Sequence, residues 1–375
     1  MDSLPQEIID EIIDDLPPSS LPSSSLVATR WRKRSQQHAF SSILLSSEPR
    51  ANSWLIDSQS DQGGISSYVK FVKLSRILEW SDPRLFSRVL ENFTSLTAPQ
   101  MDQVDIPDGA LERISHGELS KRITSLSLCS LWCPLSVVVS MILTFSNLRD
   151  LVIYYHSSGA SGEVPPIQPI QPQRRPLDSL RITSCPSMVA ETLTNLLLTP
   201  RSLVLNVWCP SALKLLAVSS VTVAELVFIG AYSSCGDRKS INDSFPGFPE
   251  ISSLQPLDSQ QFPALTSLKL YTSGRSPSPC LRDIMVSISS APVLASVALQ
   301  CWWCFLPEFH PPWDAWDRTD VLLARMAKNA VVEGGLVLTL ADWRGDEVPK
   351  ALFPKFKEVG KIKADLEELN IHNLC

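Results

Sequence analysis

At 375 residues, 44% of them hydrophobic, the chain is long enough for a large buried core and for two or three domains, a count that a repeat fold overrides. Its net charge of −6 carries no basic excess to meet a phosphate backbone, so no nucleic-acid partner is expected. Twenty-nine prolines against 14 glycines punctuate a chain of many short elements.

The first element is an amphipathic helix. Ile8, Ile12 and Leu16 recur every four residues, with Ile9 and Ile13 in a second row beside them. Acidic residues cover the rest of the surface. Ser3 with Gln6 fits a capping box, Pro5 suits a first turn, and Pro17 and Pro18 end the helix. A Ser-rich stretch with Leu21, Leu26 and Val27 follows. Thr29 then caps a third short helix carrying Trp31 and a basic run from Arg30 to Arg34. That run reads as a solvated helix face, with a nuclear localisation patch as the other reading. Phe40, Ile43 and Leu45 alternate with serines as a short strand. Three helices this short hold more apolar residues than they can bury among themselves, so one face needs a partner: the rest of the chain or another protein.

This string, LPQEIIDEII through Leu45, resembles the F-box family in the form common among fungal proteins. Leu4, Pro5, Glu7, Ile8, Ile12, Leu16, Pro17, Leu21, Leu26, Val27, Trp31 and Arg32 match its pattern at fixed spacing. The resemblance implies three helices docked on a Skp-type adaptor, and through it on a cullin, with no catalytic group contributed. By position it assigns the contact to Leu4, Pro5, Ile8, Ile12, Leu16, Leu21, Leu26, Val27 and Trp31. Pro22 departs from the pattern: inside a helix it costs roughly 3 kcal/mol, in the first turn nothing.

Beyond residue 45, an apolar-x-x-apolar-x-apolar pattern recurs. It runs through Val69, Val72, Leu74; Met101, Val104, Ile106; Ile123, Leu126, Leu128; Leu148, Leu151, Ile153; and Leu177, Leu180, Ile182. It returns at Val223, Leu226, Phe228; Leu265, Leu268, Leu270; Leu294, Val297, Leu299; and Leu366, Leu369, Ile371, with partial copies at Leu203 and at Leu336. Helix-like segments alternate with it, at residues 83–93, 135–145, 188–198, 212–218, 281–289 and 321–330. Starts fall mostly 22 to 32 residues apart, which brackets the leucine-rich-repeat period.

The expected fold is therefore an α/β solenoid: a three-helix F-box over residues 1–45, then a degenerate leucine-rich-repeat-like horseshoe of strand–helix units over 46–375. Irregular insertions are expected near 157–176 and 233–262, both rich in proline and polar residues. A doubly wound α/β domain also alternates strands and helices, but no glycine-rich strand-to-helix turn appears.

Trp302, Trp303, Trp313 and Trp316 lie in a dense aromatic segment. Packing near the end of the array is one reading; a target-binding surface is the sharper one. Cys301 and Cys304 form a lone CxxC without the second pair that a metal site needs, so a buried role is expected and no metal or other cofactor. No GxSxG, P-loop or GxGxxG is present, and no candidate nucleophile has a recognisable base, so no enzyme is expected. The longest apolar stretch, 135–145, is too short to span a bilayer. An odd count of nine cysteines and an acidic N-terminus without an apolar signal core point to the cytoplasm or nucleus.

The expected function is a substrate-recognition adaptor of a Skp–cullin–F-box ubiquitin ligase, its repeat region holding an unidentified target protein. The alternative is a non-catalytic F-box scaffold working outside any ligase.

Overall fold

A computed structural model of the chain describes residues 4–60, 64–130, 133–154, 175–183, 187–206, 210–229, 262–273, 285–286, 288–302, 313–341 and 353–365. The chain divides into two compact units, Met1–Ile170 and Gln171–Cys375.

The first unit opens with helices α1 (Gln6–Asp14), α2 (Leu21–Val27) and α3 (Thr29–Ala39). Strands and helices then alternate: β1 (Ser42–Leu45), α4 (Glu48–Ser60), β2 (Phe71–Ser75), α5 (Pro83–Asn92), β3 (Ala98–Asp102), α6 (Ala110–His116), α7 (Leu119–Arg122), β4 (Ser125–Cys129), α8 (Leu135–Thr144) and β5 (Asp150–Tyr154). The strands lie in sequence order, each parallel to the next. That order differs from a doubly wound sheet, whose strand order reverses at a switch point. One apolar column, Leu45, Leu74, Met101, Leu128 and Ile153, runs through all five strands in register and is fully buried.

Two backbone devices repeat along this unit. The Ser41 carbonyl accepts both the Lys70 and Phe71 N–H groups, at 2.9 and 3.0 Å. Lys70, Thr97 and Thr124 carbonyls do the same for the following strand's entry. Immediately after β2, β3 and β4, Arg76, Gln103 and Ser130 adopt left-handed φ of 58°, 54° and 48°. Their N–H groups donate to the Asp102, Cys129 and Tyr154 carbonyls of the next strand. Equivalent positions thus carry equivalent geometry, which apolar spacing alone does not establish.

Helix boundaries follow local chemistry. Asp82 accepts from the Arg84 N–H at 2.8 Å and Pro83 opens α5, which buries Leu85, Phe86, Val89 and Leu90. α4 escapes a reading of the sequence because, among its described side chains, only Ala51 and Leu55 are deeply buried, while Ile56 faces solvent. Met101, Val104 and Ile106 do not form one strand. β3 ends at Asp102, and Met101 stands opposite Leu74 as the last apolar position of its unit. Leu96 and Pro99 precede it, and the proline hides the apolar spacing.

The second unit has β6 (Arg175–Thr183), α9 (Ser187–Asn195), β7 (Leu198–Asn206), α10 (Pro210–Ser219), β8 (Glu225–Ile229), β9 (Ser267–Ser273), β10 (Ser296–Trp302), a helix Trp313–Asn329, β11 (Val337–Ala341), a short helix Pro354–Lys357 and β12 (Lys361–Asp365). Its strands are also parallel and in sequence order. Ile182, Leu205, Phe228, Leu270, Leu299 and Leu340 form its buried column. Val204, Val227, Ile229 and Tyr271 make a second apolar cluster, offset by one residue from that column on β7, β8 and β9. Gly360 lies against Phe356, where a Cβ would fall within 2.3 Å of the ring. The motif at Leu366, Leu369 and Ile371 lies outside the described residues, as do almost all of both expected insertions.

Candidate partner-binding site

The three N-terminal helices sort the two rows of α1 into different roles. Ile9 and Ile13, with Leu21 of α2, form a closed apolar cluster against which Leu16, Trp31 and Ala39 pack. Burying three such side chains stabilises this small unit by several kcal/mol, at about 1.5–3 kcal/mol each. Ile8 and Ile12 of the other row, 41% and 38% exposed, stay in water, as does Leu4 just before the helix at 36%; Leu16 alone of that row folds back onto the cluster. Leu26 and Val27, at the end of α2, are 81% and 59% exposed, and Pro5 is exposed as well.

The nine residues expected at a partner contact therefore divide. Leu4, Pro5, Ile8, Ile12, Leu26 and Val27 present surface. Leu21 is turned inward and 5% exposed, so its contribution is to hold α2 on α1 and α3. Leu16 and Trp31 are half-buried against the same cluster and serve the same purpose.

Polar contacts hold the helices in place from the outside. Arg34 grips Asp14 with two parallel bonds, Nε to Oδ1 at 2.8 Å and a terminal nitrogen to Oδ2 at 2.6 Å. His38 Nε2 lies 2.8 Å from Asp14 Oδ1. The Arg34 hydrogen bonds hold the Asp14 carboxyl below its usual value, with smaller help from His38. Gln6 Nε2 donates to Asp10 and to the Arg30 carbonyl, while Arg30 Nε donates to Gln6 Oε1. Buried Ser24 Oγ lies 2.8 Å from both Ser35 Oγ and the Leu21 carbonyl, a polar clip between α2 and α3.

Two expectations about helix ends change. α1 starts after Pro5 and α3 after Ala28, neither with a side-chain cap, and Ser3 lies outside the described residues. Pro22 sits in the first turn of α2, entered from a 3₁₀ turn at Pro18–Ser20, so no helical hydrogen bond is lost there.

Residues 1–41 match the F-box domain family. The chain carries an F-box. No curated protein matches the chain. F-box domains typically bind Skp-type adaptors, and proteins that carry one are usually adaptors of Skp–cullin–F-box ligases. The F-box match ends at Ser41, whose carbonyl begins the repeated backbone ladder, and β1 follows at Ser42. The F-box thus runs into the strand–helix region without a linker.

The aromatic segment fares differently. Trp316 is fully buried, its ring edge-on to Phe353 at 6.0 Å, so it is core and no target surface. Trp303 and Cys304 lie outside the described residues, and only the backbone of Trp302, Cys301 and Trp313 is described. Among the described residues, no group of three or more His, Cys, Asp or Glu is arranged to hold a metal, and no helix is long and apolar enough to cross a membrane.

Proposed function

We propose that this protein is a substrate-recognition adaptor of a Skp–cullin–F-box ubiquitin ligase. Its F-box binds the Skp-type adaptor through Leu4, Pro5, Ile8, Ile12, Leu26 and Val27, and reaches the cullin through that adaptor. The observation that carries this reading is the division of α1: its inner row is satisfied at home while Ile8 and Ile12 of the outer row, with Leu4 just before the helix, stay in water. A surface of that kind marks a protein contact.

In the same reading the strand–helix units are degenerate leucine-rich repeats stacked as a solenoid and hold a target protein. Sequence-ordered parallel strands with recurrent left-handed residues support it. The protein contributes proximity and no chemical group, raising the target's effective concentration at the ligase. The cytoplasm or nucleus, where such ligases work, is its proposed location.

The test is capture of a purified Skp-type adaptor by the full chain. Replacing Leu4 and Ile8 together with Asp abolishes capture while the protein still folds. Capture that survives both substitutions overturns the contact assignment. Target levels that stay unchanged when residues 1–41 are deleted would replace the ligase reading with a scaffold working outside it.

A further inference from the structure

Helices α5 and α6 flank a groove of about 470 Å3 lined by Arg84, Ser87, Arg88, Glu91 and Arg113. Arg84 and Arg88 stand one turn apart on α5, and Arg113 comes from α6. All three arginines are exposed, and none has an ion-pair partner among the described residues. Glu91 is the one carboxylate among the lining residues. Ser87 is buried and its hydroxyl donates to the Arg84 carbonyl at 3.0 Å, so it offers nothing to a ligand.

Three guanidinium groups against one carboxylate gather positive charge in a chain whose net charge is −6. Like charges one helical turn apart are mutually destabilising, and Glu91 alone does not balance three guanidinium groups. A bound anion does. Guanidinium forks match the oxygens of a phosphoryl group in geometry, and such a group carries a charge of about −1.5 to −2 that balances the groove's excess.

We infer that the α5–α6 groove is a binding site for a dianionic phosphoryl group. Arg84, Arg88 and Arg113 supply the donors, and Glu91 limits affinity by facing the same charge. The phosphoryl group arrives on a peptide side chain or on a small phosphorylated molecule; the chemistry of recognition is the same. The site shares no residue with the F-box surface, so it stands or falls independently of the adaptor reading.

Titration calorimetry on the full chain tests it, with inorganic phosphate, a glycine-flanked phosphoserine peptide and the unphosphorylated peptide as probes. Arg88→Gln and Arg113→Gln each weaken phosphoryl binding about tenfold, the loss of one charge-assisted hydrogen bond. Glu91→Gln tightens it severalfold. Arg50→Gln, an exposed arginine on α4, leaves it unchanged. All four positions are at the surface, and unchanged thermal melting shows that the variants fold. Phosphopeptide binding well above that of phosphate assigns the peptide as the source; equal binding assigns the small molecule. No phosphoryl binding at millimolar probe overturns the site, as does binding indifferent to Arg88, Arg113 and Glu91.

Discussion

Ile8 and Ile9 are adjacent in α1 and do opposite things: Ile9 is 1% exposed inside the three-helix cluster, and Ile8 is 41% exposed outside it. Their substitutions separate stability from binding. Ile9→Ala empties a closed cluster and costs about 2–5 kcal/mol. Ile8→Ala removes surface and changes stability by less than about 0.5 kcal/mol, yet weakens capture of the Skp-type adaptor. Denaturant unfolding and adaptor capture on both variants check this. Equal stability losses would sink the division of the two rows.

Asp14 makes the F-box sensitive to acid. Its carboxyl is held below the ordinary 3.8 mainly by Arg34, with His38 beside it. A depressed carboxylate contributes stability that is fully present above the unfolded value and is lost as pH falls through the folded one. The Asp14–Arg34 tie therefore holds the helices at neutral pH and fails only below about pH 4. Asp14→Asn removes that acid dependence. Helical content of α1 and α3, followed by NMR from pH 6 to pH 2, shows a step in the parent and a flatter profile in the variant. Because the pair is exposed, 1 M salt shrinks the difference.

Much of this architecture is legible in the apolar spacing, because a parallel strand buried on its core face repeats the same side chains unit after unit. Leu74, Leu128, Ile153, Ile182 and Phe228 all stand in register and buried at the positions this spacing marks. The pattern breaks where chemistry interrupts it, as at Pro99, which occupies an interior strand position opposite Val72. It also cannot tell which of two adjacent isoleucine rows faces inward. Spacing places both on one broad stripe, and only the packing of Leu21 and Trp31 decides it. Charge convergence between α5 and α6 was invisible for a related reason. Arg84 and Arg113 are 29 positions apart in the numbering, and no local motif joins them.

Trp316 is a stability residue. Its indole is fully buried against Phe353, so Trp316→Ala costs about 3–5 kcal/mol and lowers the melting temperature of the second unit. Differential scanning calorimetry checks this. A variant that melts like the parent would return Trp316 to the surface and reopen its role in target capture.

Asp320 ties two distant pieces of the second unit together. It is fully buried on the Trp313–Asn329 helix, and its oxygens accept from the Lys355 N–H at 2.9 Å and the Phe356 N–H at 2.8 Å. Those are the first free donors of the Pro354–Lys357 helix, since Pro354 has no N–H and Phe353 offers no side-chain cap. The cap thus comes from 35 and 36 residues earlier in the chain. It holds Phe353 and Phe356 in the same buried region as Trp316. Asp320→Ala takes the acceptor from the buried Phe356 N–H and the partly exposed Lys355 N–H, at about 1–3 kcal/mol for the buried donor when it finds no other partner. Asp320→Asn keeps one acceptor oxygen and loses less. Hydrogen exchange at the Lys355 and Phe356 amides reads the effect directly: both accelerate in Asp320→Ala, with a smaller change in Asp320→Asn. Exchange as slow as in the parent would mean that packing around Phe356, and not the carboxylate, holds this helix.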